Sequence, residues 1–279
     1  MTSRLHVRRV PFWIAVLLLL GLAGAVGWIW RTSVSPPSYA IVTRIHPIDG
    51  AEMVWVPAGT FRMGDKHTKK ITTGRLRELQ IWWRRTTGWK SQHSNARRDR
   101  EVHVEGYWIY RYEVTVAQYR AFCRATKRPM PFQPYGDIAT YPVVNITWDD
   151  AVAYARWAGA ALPDEAQWEK AARGQDGRRY SWGNHWGTAR CCSHMSHPCP
   201  VGSYPSGMSP SGCYDMIGNV SEWCVDFTDR SSGVIRGGCF SDSDLSVLQV
   251  TSWKWIPPSL GYWGYTSVGL RCVLNAPGP

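Results

Sequence analysis

Charge is scarce in this chain. Only 19% of its 279 residues are Asp, Glu, Lys or Arg, against 44% hydrophobic, which excludes a coiled coil and a highly charged disordered tail. The 26 Gly and 18 Pro do not form a collagen-like repeat. Acids are scarcer still, 21 against 32 bases, which leaves a net charge of +11. No Ser-His-Asp arrangement can be singled out, and His46, His67, His93, His103 and His185 have no mutual spacing that suggests ligation. What is present is 17 Trp and 8 Cys, in a length that suits one large domain or two ordinary ones with a buried core and long loops.

Residues 10–30 carry no charge and are apolar apart from their glycines, about the length that crosses a bilayer as a helix. Arg4, Arg8 and Arg9 precede them and Arg31 follows, so residues 1–9 are expected in the cytoplasm and the rest of the chain outside it. Ala23-Gly24-Ala25 resembles a signal-peptide cleavage site. The apolar run continues through Val26, Trp28, Ile29 and Trp30, which favours an uncleaved anchor. The expectation is a single-pass protein of the inner or plasma membrane, with a linker at 31–50, a periplasmic or extracellular domain at 51–274 and a tail at 275–279. In an oxidising compartment Cys123, Cys191, Cys192, Cys199, Cys213, Cys224, Cys239 and Cys272 should be mostly paired, with connectivity left open by the sequence.

Met53 to Val56 and Thr60 to Gly64 flank a Pro-Ala-Gly turn, predicting a hairpin. His103 to Tyr112 predicts a further strand with Tyr107, Ile109 and Tyr112 inward. Thr115 with Gln118 forms a capping box ahead of a helix over 116–126, with Val116, Tyr119, Ala121, Phe122 and Cys123 on its buried face. Thr147 with Asp150 opens a second helix that stops at Gly159, its buried stripe being Val152, Ala155, Trp157 and Ala158. A third, acidic in its first turn, runs from Asp164-Glu165 to Gly174. Short strands are expected around 220–227, 234–240 and 267–273. The fold class is α+β, with few helices and long ordered loops.

Eight stretches occur in order: Val56-Pro57-Ala58-Gly59-Thr60-Phe61-Arg62-Met63-Gly64, Tyr112-Glu113-Val114-Thr115, Pro142-Val143-Val144-Asn145-Ile146-Thr147-Trp148, Leu162-Pro163-Asp164-Glu165-Ala166-Gln167-Trp168-Glu169, Tyr180-Ser181-Trp182-Gly183-Asn184, Asp215-Met216-Ile217-Gly218-Asn219-Val220-Ser221-Glu222-Trp223, Arg236-Gly237-Gly238 and Gly269-Leu270-Arg271-Cys272. Together they resemble the formylglycine-generating enzyme, or sulfatase-modifying factor, family over Met53 to Val273. The resemblance implies a C-type-lectin-like fold.

It also implies an activity that these residues do not support. Family oxidases bind copper with two cysteines shortly after the Arg-Gly-Gly strand, and thiolates suit Cu(I). Here those positions fall on Asp242 and Val247, so copper is not expected. Cys239 occupies a small core-facing position of the family and is expected in a disulfide, with Cys224 as one partner. Sulfur-transferring or hydroxylating relatives use an iron site built from histidines on an added helical domain, whereas upstream of Met53 this sequence reads as anchor and linker.

The resemblance further implies a Ca²⁺ loop in which Asp215 and Glu222 give carboxylate oxygens and Gly218 and Val220 carbonyls; the alternative is a turn fixed by hydrogen bonds alone. A second family calcium site is lost, because Arg190 and Cys191 stand where a ligand is expected. In its place Cys191, His194, His197 and Cys199 form a cluster that could take zinc, set against its capture in disulfides.

Between Asp65 and Glu101 eleven Lys or Arg stand against four acids, interleaved with Trp82, Trp83 and Trp89. No nucleic-acid recognition motif accompanies them. This 65–101 insertion suits a membrane surface or an acidic partner, or is a solvated loop whose aromatics tuck against the domain. Two functions remain. One is a non-catalytic binding or accessory protein with a protein or small-ligand surface over 241–263, using Asp242, Asp244, Gln249, Lys254, Tyr262 and Trp263, where some lectin-fold relatives diversify their binding residues. The other is a formylglycine-generating oxidoreductase acting on a protein cysteine through a rearranged metal site.

Overall fold

Three capping boxes start the three α-helices found among the described residues. A computed structural model describes residues 40–65, 99–227, 233–256 and 265–279. The expected anchor at 10–30, nearly all of the 65–101 insertion, and Tyr262 and Trp263 lie outside them. Thr115 and Gln118 cap α1 (Val116–Thr126), Thr147 and Asp150 cap α2 (Trp148–Trp157), and Asp164 and Gln167 cap α3 (Glu165–Arg173). In each box the first side chain accepts a main-chain N–H that the helix leaves unpaired, and the second reaches back to the cap residue. Gly174 ends α3, and Gly159 follows the Ala158 cap of α2 with φ +67°. Among these described residues, no helix is long and apolar enough to cross a membrane.

The strands are β1 (Thr43–Ile45), β2 (Glu52–Val56), β3 (Gly59–Met63), β4 (Arg100–Val104), β5 (Tyr107–Tyr110), β6 (Ser221–Phe227), β7 (Gly233–Arg236), β8 (Trp253–Ile256), β9 (Val268–Gly269) and β10 (Val273–Leu274). They form sheets ordered β1-β2-β5-β10, β3-β4 and β8-β7-β6-β9, antiparallel except for β6 against β9. The expected hairpin does not form. Pro57-Ala58 carries the chain out of one sheet into another, and β2 pairs with β5 while β3 pairs with β4. The single strand expected over His103 to Tyr112 is two strands broken at Glu105-Gly106, where a Cβ on Gly106 would meet the Trp55 ring at 2.4 Å.

β5 does not alternate between core and solvent, because both of its faces are covered. Trp108 and Tyr110 face the cluster built on α1 and α2, while Tyr107 and Ile109 face the one around Trp168. The domain also starts earlier than Ala51. β1 lies within the expected linker and pairs with β2. The turn after it is held by buried Asp49, whose carboxylate accepts from His46 Nδ1 (2.9 Å), Tyr110 Oη (2.7 Å) and Tyr154 Oη (2.6 Å). The tail is docked too, with Trp108 Nε1 donating to Pro277 O at 3.2 Å.

The expected disulfide framework reduces to one bridge, Cys192–Cys199. Cys123, Cys191, Cys213, Cys224, Cys239 and Cys272 are buried thiols. They sit in three separate apolar clusters, Cys224 near Trp168 and Cys239 beside Phe240, so the expected Cys224 to Cys239 bond is not formed. Each behaves as a small hydrophobic residue.

Candidate functional site

β7 ends at Arg236, and Gly237 and Gly238 follow with φ of +94° and +71°. A side chain is excluded at Gly238, where a Cβ would stand 2.9 Å from Leu248 and 3.3 Å from Asp242 Oδ2. This turn delivers Cys239 to Asp242. Asp242 Oδ2 accepts the Cys239 N–H at 2.8 Å, and the Asp242 N–H donates to Cys239 O at 3.0 Å. Lys254 on β8 brings Nζ to 3.3 Å from Asp242 Oδ1. Asp242 and Lys254 are thus brought together, while Asp244 is exposed and Gln249 half-buried on the same stretch. Val247 is half-buried, with its N–H on Asp244 O at 2.9 Å.

The Cys239 thiol lies 3.3 Å from Ser241 Oγ. Burial, and then the Asp242 charge, push its pKa up, which disfavours the nucleophilic and copper-binding thiolate. The disulfide loop packs alongside, Met195 N–H donating to Phe240 O at 2.7 Å and His194 N–H to Asp242 O at 3.4 Å. Asn219, in the left-handed region at φ +54°, joins the pieces. Its N–H donates to Cys192 O (2.8 Å), its O accepts from Phe240 N–H (2.8 Å) and its Oδ1 from Cys199 N–H (2.9 Å).

Behind this face lies a buried ionic scaffold. Glu222 clamps Arg271 through Oε2 to Nε (2.7 Å) and Oε1 to Nη2 (2.7 Å), and also accepts from Trp168 Nε1 (2.7 Å). Glu169 bridges Arg173 (2.8 Å) and Arg236 (2.5 Å). Glu113 accepts from Asn219 Nδ2 (2.5 Å) and Val220 N–H (3.0 Å). Asp215, at φ +57°, accepts from Gly202 N–H at 2.6 Å.

Residues 43–276 match the family of sulfatase-modifying factor enzyme 1-like domains. The chain belongs to this family. Among curated proteins it is similar to the formylglycine-generating enzyme of Streptomyces coelicolor, 45% identical over 31% of this chain and 32% of that protein. It is also similar to the hercynine oxygenase of Mycobacterium tuberculosis, 42% identical over 46% of this chain and 34% of that protein. The matches therefore span about a third of these relatives. Among solved structures it resembles PvdO from Pseudomonas aeruginosa, with a TM-score of 0.64 and 21% identity over 86% of this chain and 98% of that one, a likeness of fold.

The charged residues at the heart of several motifs are scaffold. Glu165, Glu169, Glu222, Arg236 and Arg271 are all buried charges. Glu113 belongs to a quoted motif, yet its role was not legible, because its partner Asn219 lies 106 positions away.

The expected calcium donors can be tested against their surroundings. Burial and then the charge of Glu222 act against the Asp215 carboxylate, whose pKa is pushed up to about 6 even though the Gly202 N–H and Arg271 favour ionisation. Glu113 is pushed well up by burial, then by Asp215 and Glu222. Burial thus works against the charged forms of Asp215 and Glu113, while both oxygens of Glu222 already accept from Arg271 and Trp168. Among the described residues no three His, Cys, Asp or Glu side chains converge on a metal centre. A cation here would rely on Asp215, Glu222 and the carbonyls of Gly218 and Val220.

The expected zinc cluster does not assemble. Cys199 is bonded to Cys192, Cys191 turns into the Trp168 cluster, and His194 and His197 are exposed, His197 Nδ1 lying 2.9 Å from Pro198 O.

Proposed function

We propose that this family member is a membrane-anchored, exported binding or accessory protein whose loops over 241–263 form a ligand surface. One observation carries the reading. Asp242 stands where the family resemblance puts a copper cysteine, and its carboxylate is folded back onto the Cys239 N–H and paired with Lys254. An Asp-Lys pair flanked by polar and aromatic residues suits recognition of a protein or small polar ligand better than it suits Cu(I). Asp242, Asp244, Gln249, Lys254, Tyr262 and Trp263 are assigned to contact that ligand. Calcium, held by Asp215, Gly218, Val220 and Glu222, would act structurally, tying the 215–222 turn together. The anchor at 10–30 and the basic 65–101 insertion would hold the domain near a membrane surface or an acidic partner.

Copper-dependent oxidation of a cysteine-containing sulfatase peptide tests this reading. No turnover is expected, and turnover lost on Cys239→Ser would overturn it. In pulldowns with the exported domain, a partner should be recovered and then lost on Trp263→Ala; failure to recover any partner would count against the binding role. The second reading, an oxidoreductase acting on a protein cysteine, draws on the likeness to formylglycine-generating enzymes and on the Cys239 thiol beside Ser241. The same oxidation assay decides between the two.

A further inference from the structure

We propose that the cleft between the end of α1 and the start of α2 binds an apolar organic carboxylate that also carries an N–H donor. That is the chemistry shared by an N-acylated apolar amino acid and a peptide carboxy-terminus. The cleft encloses about 680 Å³, the size of small-molecule sites. Tyr119 and Met130 line it, together with Phe132, which is 68% exposed and offers its ring to a ligand.

Two polar groups in this cleft are left open. Asn145 is only 7% exposed and holds φ +59°. Its main-chain N–H donates to Tyr265 O at 3.0 Å and its Nδ2 to Phe132 O at 3.0 Å. Its Oδ1 is itself buried and has no hydrogen-bond partner among the described residues. Flipping the amide would set Oδ1 against the Phe132 carbonyl, so the orientation is fixed and the open group is an acceptor. A buried acceptor without a donor is unfavourable, and a ligand N–H would satisfy it.

The second open group is Arg128. Its side chain is 51% exposed, and its Nη1 stands 4.0 Å from Asp150 Oδ1, beyond hydrogen-bond range. Its guanidinium lies over the Phe122 ring at 5.7 Å, leaving the planar fork of donors free for a carboxylate. Asp150 itself is engaged through Oδ2 with the Thr147 N–H (3.1 Å) and Oγ1 (2.7 Å). Arg128 is the one cation among the described lining residues, so a ligand carboxylate binds on the side of its guanidinium away from Asp150. Among the described residues of the 241–263 surface, Asp242, Asp244, Gln249 and Lys254 do not line this cleft, and the probes below do not involve them.

The full chain is titrated with N-acetylphenylalanine by ligand-observed NMR, where a ligand of about 15 heavy atoms should saturate in the millimolar range or below. Replacing the carboxylate by an amide, methylating the N–H, or substituting Arg128→Gln should each weaken binding about tenfold or more. Phe132→Ser, at an exposed position that the fold does not need, should weaken it as well. Tighter binding of Gly-Gly-Phe with a free carboxy-terminus than of N-acetylphenylalanine would mark a peptide end as the ligand, and equal binding a single acylated residue; either supports the proposal. Absence of saturable binding, or binding indifferent to both the amide probe and Arg128→Gln, would overturn it.

Discussion

Asn219 donates its side-chain amide to the buried carboxylate of Glu113 at 2.5 Å, across 106 positions of sequence. The same side chain receives the Cys199 N–H, so one residue couples the disulfide loop to the start of α1. Asn219→Ala removes both bonds, leaves Glu113 short of a donor and puts into a left-handed position, at φ +54°, a residue that tolerates it less well than Asn. It should destabilise the domain by about 2–4 kcal/mol, read as a lowered urea midpoint at unchanged slope.

The Glu222 and Arg271 pair is fully buried, so removing one partner strands the other. Arg271→Met is expected to cost about 3–5 kcal/mol. Adding Glu222→Gln should recover part of that loss, and a double-mutant cycle measures the coupling. Additive losses would show that the two side chains do not act as a pair.

Calcium binding at 215–222 predicts that millimolar calcium raises the melting temperature and that a chelator lowers it. A ligand at about a hundred times its dissociation constant adds about 2.7 kcal/mol. The response should disappear in Asp215→Asn, and an equal response in that variant would exclude this turn as the site.

The thiols give a pH prediction. Burial pushes the pKa values of Cys191 and Cys213 up to about 11, above the ordinary value near 9. A raised folded value means stability that is complete below the unfolded pKa and is lost as pH rises through the folded one. Stability should therefore decline from about pH 9 to about pH 11. Native alkylation should be slow at neutral pH and quicken about tenfold per pH unit. After unfolding without reductant, mass spectrometry should count six modified thiols and one Cys192–Cys199 bridge.

The three helices were legible in position, because a capping box is written within four positions and a helix tests it locally, but the buried face of α2 runs through Ala151, Tyr154 and Ala155 and leaves Val152 and Trp157 half-buried. Strand positions were legible in part: Met53 to Val56 and Tyr107 to Tyr110 carry the right residue types, whereas β1 and β8 were not expected and the stretch from His103 to Tyr112 divides between two strands. Pairing partners were not. The turn at Pro57-Ala58 looks like a hairpin, but β2 and β3 find partners about 50 and 40 residues further on, and no local signal encodes that choice. Of the candidate surface, Asp242 was placed by the family spacing, but its contact with Lys254 needed β8 laid beside β7. Asn145 and Arg128 passed unremarked because an unpaired acceptor is a property of surroundings, not of residue type.

By itself the sequence determined the family and the positions of the helices. Those follow from residue identity and short spacing, which chemistry reads directly. Tertiary structure decided which cysteines pair, which acids are neutralised by which arginines, and which cleft retains open polar groups. Those depend on burial and on distances of a few ångströms between residues far apart in the chain, and only the packed core fixes them.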